Sequence, residues 1–145
     1  MQTKEINLTY ERMSETDIPE LALVMKRAFD DDSQKHLGQP EGGPEGYDNG
    51  DFFRKWVFGK AGGIGWKIVV NGKIVGAFIV WILPHGNNIL GNIFVDPAMQ
   101  DLGIGTQVWK FIEATYPETV SWRLDTPTWA KKNHHFYEKL GFVRE

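Results

Sequence analysis

The chain has 145 residues, 41% of them hydrophobic, which suits one domain around a single core. A net charge of −3 excludes the basic stripe that a nucleic-acid binder presents. The absence of cysteine excludes a disulfide, a thiol nucleophile and a cysteine-ligated metal.

The start, Met1-Gln2-Thr3-Lys4-Glu5, is polar and leads into no apolar run, so no secretory signal is expected. The longest apolar run, residues 74–84, is too short to span a bilayer. A soluble cytoplasmic protein with no membrane or nucleic-acid partner is the expectation.

Ile6, Leu8 and Tyr10 alternate with polar neighbours and predict a half-buried first strand. Ser14-Glu15-Thr16-Asp17 opens a helix that tolerates Pro19 in its first turn. Ile18, Leu21, Met25 and Ala28 make one apolar face, which predicts a helix over residues 15–29. Residues 30–65 then read as irregular. They hold nine of the sixteen glycines, two prolines and the acidic run Asp30, Asp31, Asp32. One short helix is expected near residues 51–58. The aromatics Tyr47, Phe52, Phe53, Trp56 and Phe58 favour a loop folded over a cleft rather than a surface excursion.

The period then changes to two. Residues 66–70, the pair Asn71-Gly72 and the run from Lys73 form a hairpin, because both turn residues tolerate positive φ. Residues 74–83 are apolar on both faces, as a central strand covered on each side requires. Residues 84–88 turn the chain into another strand, 89–95, antiparallel to the last. A second long helix carries Ile104, Val108, Phe111, Ile112 and Thr115 on one face and stops at Pro117. Residues 120–125 alternate again. A strand–helix–strand unit of this length makes 89–95 and 120–125 a parallel pair. A last helix over 129–140 ends at Gly141.

The informative stretch lies between that strand and that helix. After the break at Asp96-Pro97, Gln100-Asp101-Leu102-Gly103-Ile104-Gly105-Thr106 opens a helix on spaced glycines. The first turn of a helix carries unpartnered N–H groups and roughly half a positive charge, and glycines let a ligand approach the backbone. The turn can therefore receive a pyrophosphate. An ordinary strand-to-helix turn is the bland alternative.

Other chemistries fail on order. A dinucleotide fingerprint needs Gly or Ala where Val108 stands, in a parallel sheet rather than after a meander. No Gly-Lys-Ser/Thr and no Gly-x-Ser-x-Gly occurs. His134 and His135 are adjacent, so on a helix they diverge by about 100° and make poor joint metal ligands. No metal is expected.

The antiparallel meander, the Gln-x-x-Gly-x-Gly turn of Gln100 to Gly105, and Asn133-His134-His135-Phe136-Tyr137-Glu138-Lys139-Leu140-Gly141-Phe142 occur in this order. Together they resemble the GNAT superfamily of acetyl-coenzyme-A-dependent N-acetyltransferases. The resemblance implies an α/β (α+β) fold: a mixed, mostly antiparallel sheet flanked by helices, with a parallel pair splayed into a cleft. It implies acetyl-CoA as co-substrate and a primary amine of a small molecule or peptide as acceptor. The pantetheine arm would run along Ile93, Phe94 and Val95, and the pyrophosphate would rest on Leu102, Gly103, Ile104, Gly105 and Thr106. Gln100 occupies the family's Gln/Arg position. Tyr137 matches the tyrosine that faces the thioester sulfur, with Phe136 and Asn133 on the coenzyme side. The family's usual asparagine lies seven residues before the tyrosine, where this chain has Ala130.

A phenol of pKa about 10 gives its proton to a thiolate of pKa about 8.5 only uphill, by about 2 kcal/mol, so Tyr137 is read as a hydrogen-bond donor to the developing thiolate. A primary amine of pKa about 10.4 must shed a proton, at a cost of roughly 4.6 kcal/mol at pH 7. Many family members place a glutamate on the fourth strand for this; residues 89–95 hold no carboxylate. His85, Asp125 and Asp30 to Asp32 are the remaining candidates, directly or through water. The acidic balance and the aromatic loop favour a cationic small amine. A non-catalytic acyl-CoA-binding module, and an interaction protein whose turn is only structural, are the competing readings. The chain stops three residues after Phe142, so a single domain over 1–145 without the family's last strand is expected. Its open edge would be bare or covered by a second subunit, a homodimer.

Overall fold

The computed structural model describes residues 7–99 and 102–124. Five strands form one sheet in chain order: β1 (Thr9–Arg12), β2 (Gly63–Val70), β3 (Lys73–Trp81), β4 (Asn87–Val95) and β5 (Ser121–Leu124). β1 to β4 pair antiparallel, and β4 pairs with β5 in parallel. The mixed, mostly antiparallel sheet is thus the one expected. Asn71 (φ 51°) and Gly72 (φ 77°) make the tight turn between β2 and β3. β3 is buried at every position after Lys73, as a strand covered on both faces must be.

Helix α1 (Ile18–Leu37) starts behind a short 3-10 turn. The Ser14 N–H donates to Asp17 Oδ2 at 2.8 Å, and the other oxygen, Oδ1, accepts from Lys67 on β2 at 3.2 Å. Ile18, Leu21, Val24, Met25 and Ala28 are buried against the sheet. The helix does not end near Phe29; it runs two turns further, to Leu37. The acidic run makes this possible. Asp30 pairs with Lys26, and Asp32 with His36, each one turn away. Lys35 Nζ lies 2.9 Å from Asp31 Oδ2, close enough for attraction though not aligned as a hydrogen bond. Gly38, at φ 66°, then closes the helix in the left-handed conformation.

After the loop comes a single turn, α2 (Asp51–Phe53), which widens into a π-helical turn over Arg54–Phe58. Tyr47, Phe52, Phe53 and Val57 are core residues rather than the lining of an open loop. They pack with α1 on one face of the sheet. Helix α3 (Ile104–Thr115) covers the other face through Ile104, Val108, Trp109 and Ile112, as its spacing predicts. The side chains of β4 divide accordingly. Ile89 and Phe94 join the α1 side, and Leu90 and Ile93 the α3 side.

Candidate functional site

The site is built around β4 and the chain that leaves it. β4 pairs with β5 from Asn87↔Ser121 to Leu90↔Leu124, the last described residue of β5. The next residue, Gly91, is skipped in the ladder with β3: Val80 pairs with Leu90 and Ile79 with Asn92. This is a β-bulge, and bulges bend and twist a strand where they fall. A Cβ on Gly91 would stand 2.9 Å from Trp81 Cζ2, so the glycine lets the Trp81 indole lie on the bulge. A glycine inside a strand pattern is the sequence signal for such a bulge.

Beyond the bulge, Asn92 faces the α1 side, because its direct partner Ile79 does so. Its half-buried side chain makes no hydrogen bond within the described residues. Ile93, Phe94 and Val95 pair with Phe78, Ala77 and Gly76 on β3. The strand stops at Asp96, which is held firmly. Asp96 N–H donates to Val75 O at 2.7 Å; its carboxylate accepts from Ala98 N–H and from Arg27 Nε and Nη2 at 3.1, 3.1 and 2.8 Å. Burial alone would raise its pKa, but these donors hold the carboxyl below the usual range.

The glycine turn then enters α3. Gly103 is the N-cap at φ 74°, ψ 15°, and a Cβ there would meet nothing within 4 Å. No side chain caps the helix, and its first turn holds no acid. The first backbone bond is Gln107 N–H to Gly103 O. The N–H groups of Ile104, Gly105 and Thr106 therefore have no helical partner. Leu102, Gly103 and Thr106 are exposed, Gly105 is half-buried, and Ile104 anchors the turn in the core at 3% exposure. An uncapped helix start in open space can receive an anion.

Ile93 and Val95 pack in the same cluster as Ile104, which puts the strand end beside the helix start, while Phe94 faces the α1 side and Leu102, Gly103, Gly105 and Thr106 flank Ile104 in the chain. Gln100, Asn133, Phe136 and Tyr137 lie outside the described residues, as does Asp125. The general-base candidates fare differently. Asp30 is saturated: it accepts from Lys26 Nζ, from Tyr47 Oη at 2.6 Å and from Gly42 N–H at 3.1 Å. Burial opposes its charge, yet these three donors keep the carboxyl low, far from the range a base needs at neutral pH. Asp32 faces His36. His85 is exposed in the β3–β4 turn; the strand from Asn87 to Gly91 alone spans about 13 Å, so it is remote from the bulge. Among the described residues no cluster of acids and histidines could hold a metal, and no helix is long and apolar enough to cross a membrane.

The sequence reading did not single out Gly91, Asn92, Trp81 or Lys60, and Trp56 entered it only as a loop aromatic. Trp56 and Trp81 rings lie 5.4 Å apart, and the Trp81 indole N–H donates to the Trp56 carbonyl at 3.0 Å. They meet beside the bulge because the π-helical turn packs against the end of β3.

Residues 61–144 match the family model of the acetyltransferase (GNAT) domain. The chain is 37% identical over 145 residues to the uncharacterised protein YrkN of Bacillus subtilis, covering 98% of this chain and 77% of that one. Among solved structures, a PaiA N-acetyltransferase from Thermoplasma acidophilum in complex with coenzyme A superposes with a TM-score of 0.73 at 15% identity, covering 97% of this chain and 92% of that one. The Escherichia coli ribosomal-protein alanine N-acetyltransferase gives 0.71 at 19%, covering 96% and 79%. A GNAT-family acetyltransferase from Staphylococcus aureus gives 0.69 at 20%, covering 94% and 85%. At these identities the structures share the fold. The domain match, over more than half of the chain, carries the assignment: this chain belongs to the GNAT acetyltransferases, a family of acyltransferases.

Proposed function

We propose that the protein transfers an acetyl group from acetyl-CoA to a primary amine, by direct attack within a ternary complex. The observation that carries this reading is the uncapped start of α3, where three N–H groups have no helical partner and a Cβ on Gly103 would meet nothing within 4 Å. The pyrophosphate would rest there, on residues 102–106. The pantetheine arm would lie along Ile93, Phe94 and Val95 as an added strand, bringing the thioester toward the Gly91 bulge. The chain has no cysteine to carry an acyl group, which favours direct attack over a thioester-enzyme intermediate.

The resemblance assigns Tyr137 the hydrogen bond to the leaving thiolate, and places Gln100, Asn133 and Phe136 around the coenzyme. Asn92 supplies the polar side chain on β4 beyond the bulge. Its amide oxygen can accept a hydrogen bond from the amine but cannot take its proton, so deprotonation runs through water. A coenzyme-binding module without catalysis is the second reading, favoured by the lack of any carboxylate on β4. Calorimetry with acetyl-CoA, followed by thiol release across a panel of amines, tests both. Heat on binding with thiol release supports the transferase. Heat without release supports the module, and no heat defeats both.

A further inference from the structure

Two ammonium groups gather on the tryptophan pair beside the bulge. Lys60 Nζ stands 4.9 Å from the Trp81 ring centre and 5.6 Å from that of Trp56. Lys55 Nζ stands 4.8 Å from Trp56. The other paired lysines of the described chain have carboxylates: Lys26 has Asp30 and Glu41, Lys35 has Asp31, and Lys67 has Asp17 and Glu11. Neither Lys55 nor Lys60 has an acidic or hydrogen-bonding partner among the described residues. Lys60 is also half-buried, and the two indole faces are the partners its ammonium has among the described residues.

Their position gives this a chemical meaning. The Trp81 ring rests on Gly91 at the bulge and shares its face of the sheet with Asn92. A molecule whose amine lies at Asn92 and whose chain follows the Trp81 indole has its far end toward Lys60, whose Nζ stands 4.9 Å from that ring centre. The rare π-helical turn brings Lys55 to the same indole surface.

Building on the acetyl-transfer reading above, we infer that the acceptor is an amine carrying a second, anionic group. Lys60, assisted by Lys55, holds that group through charge-assisted hydrogen bonds beside the Trp56–Trp81 pair. Like charge at these ammonium groups disfavours a polyamine. A carboxylate and a phosphate share the required chemistry.

Three acceptors matched in length test this: aminobutyrate, butylamine and putrescine, which place an anion, nothing and a second cation at the far end. Aminobutyl phosphate distinguishes the two anionic classes. The wild-type protein is expected to prefer the anionic acceptors in kcat/KM by about tenfold or more over butylamine, and by more over putrescine. In Lys60→Met with Lys55→Met the preference should collapse through KM, while butylamine turnover and acetyl-CoA affinity stay within about threefold. Lys60→Arg should restore most of it. A preference for butylamine or putrescine, or one that the double variant leaves unmoved, overturns the inference. Calorimetry on the acetyl-CoA-loaded protein separates it from the reading on which it rests. Lysine-dependent binding of aminobutyrate without turnover upholds the anion site and defeats acetyl transfer to it. Turnover without selectivity does the reverse, and neither binding nor turnover of any acceptor defeats both.

Discussion

Arg27 on α1 and Asp96 at the end of β4 are joined through two guanidinium nitrogens on one carboxylate oxygen, at 3.1 and 2.8 Å. The contact ties the helix of one face to the first residue after β4, on the way to the glycine turn. Asp96→Asn keeps the shape and removes the charge, and should cost about 1–2 kcal/mol in urea unfolding at neutral pH. The folded carboxyl titrates below its ordinary 3.8, so its contribution is present above that value and lost as pH falls through the lower folded pKa. The difference between wild type and variant should therefore vanish only in that acid range.

Gly103 and Gly72 provide a matched pair. Both have positive φ, 74° and 77°, and a Cβ on either meets nothing within 4 Å. Alanine at each should destabilise by about 1 kcal/mol through backbone conformation alone. Only Gly103→Ala places a methyl where the diphosphate would approach. Acetyl-CoA affinity by calorimetry should fall about tenfold or more for Gly103→Ala and stay unchanged for Gly72→Ala. Equal affinities would remove the turn from coenzyme binding.

Tyr47 gives its proton to Asp30 Oδ1 at 2.6 Å, and burial together with that carboxylate pushes the phenol up to about 12. A folded pKa above the ordinary 10 means the stabilisation is full below pH 10 and drains away as pH rises through 12. Tyr47→Phe should lose about 1–2 kcal/mol at neutral pH and lack this alkaline decline. Melting temperatures from pH 7 to 11 would show it.

Tyr137→Phe should lower kcat by roughly 100-fold or less, the range for a single acid–base group, with acetyl-CoA affinity preserved. An unchanged kcat would take Tyr137 out of the chemistry.

The local features were plain in the residues. Asn71-Gly72 named its hairpin, the double-sided apolar run of β3 named a central strand, and the spacing of Ile104, Val108 and Ile112 named the face of α3. Helix α1 was read short because its apolar period ends at Phe29, whereas its last two turns are held by ion pairs at the surface. Asp30, Asp31 and Asp32 are engaged within α1, and among the described residues the ammonium groups beside the bulge meet indoles rather than carboxylates. Trp56 and Lys60 lie far in sequence from Trp81 and Gly91, and they meet because the π-helical turn folds onto the end of β3. No periodicity could have gathered them.

Each strand in the sheet lies beside its neighbour in the chain. The meander from β1 to β4 is therefore encoded entirely before Asp96, ahead of the segment that would hold the coenzyme. A nascent polypeptide emerging from the ribosome can close the β2–β3 and β3–β4 hairpins while the remainder is still being made, because those pairings are local and quick to form, whereas β1 joins β2 across all of α1 and the loop after it. Helix α3 and β5 are then laid onto that four-stranded platform during synthesis, and β4 alone among its strands waits for a partner made after them, β5.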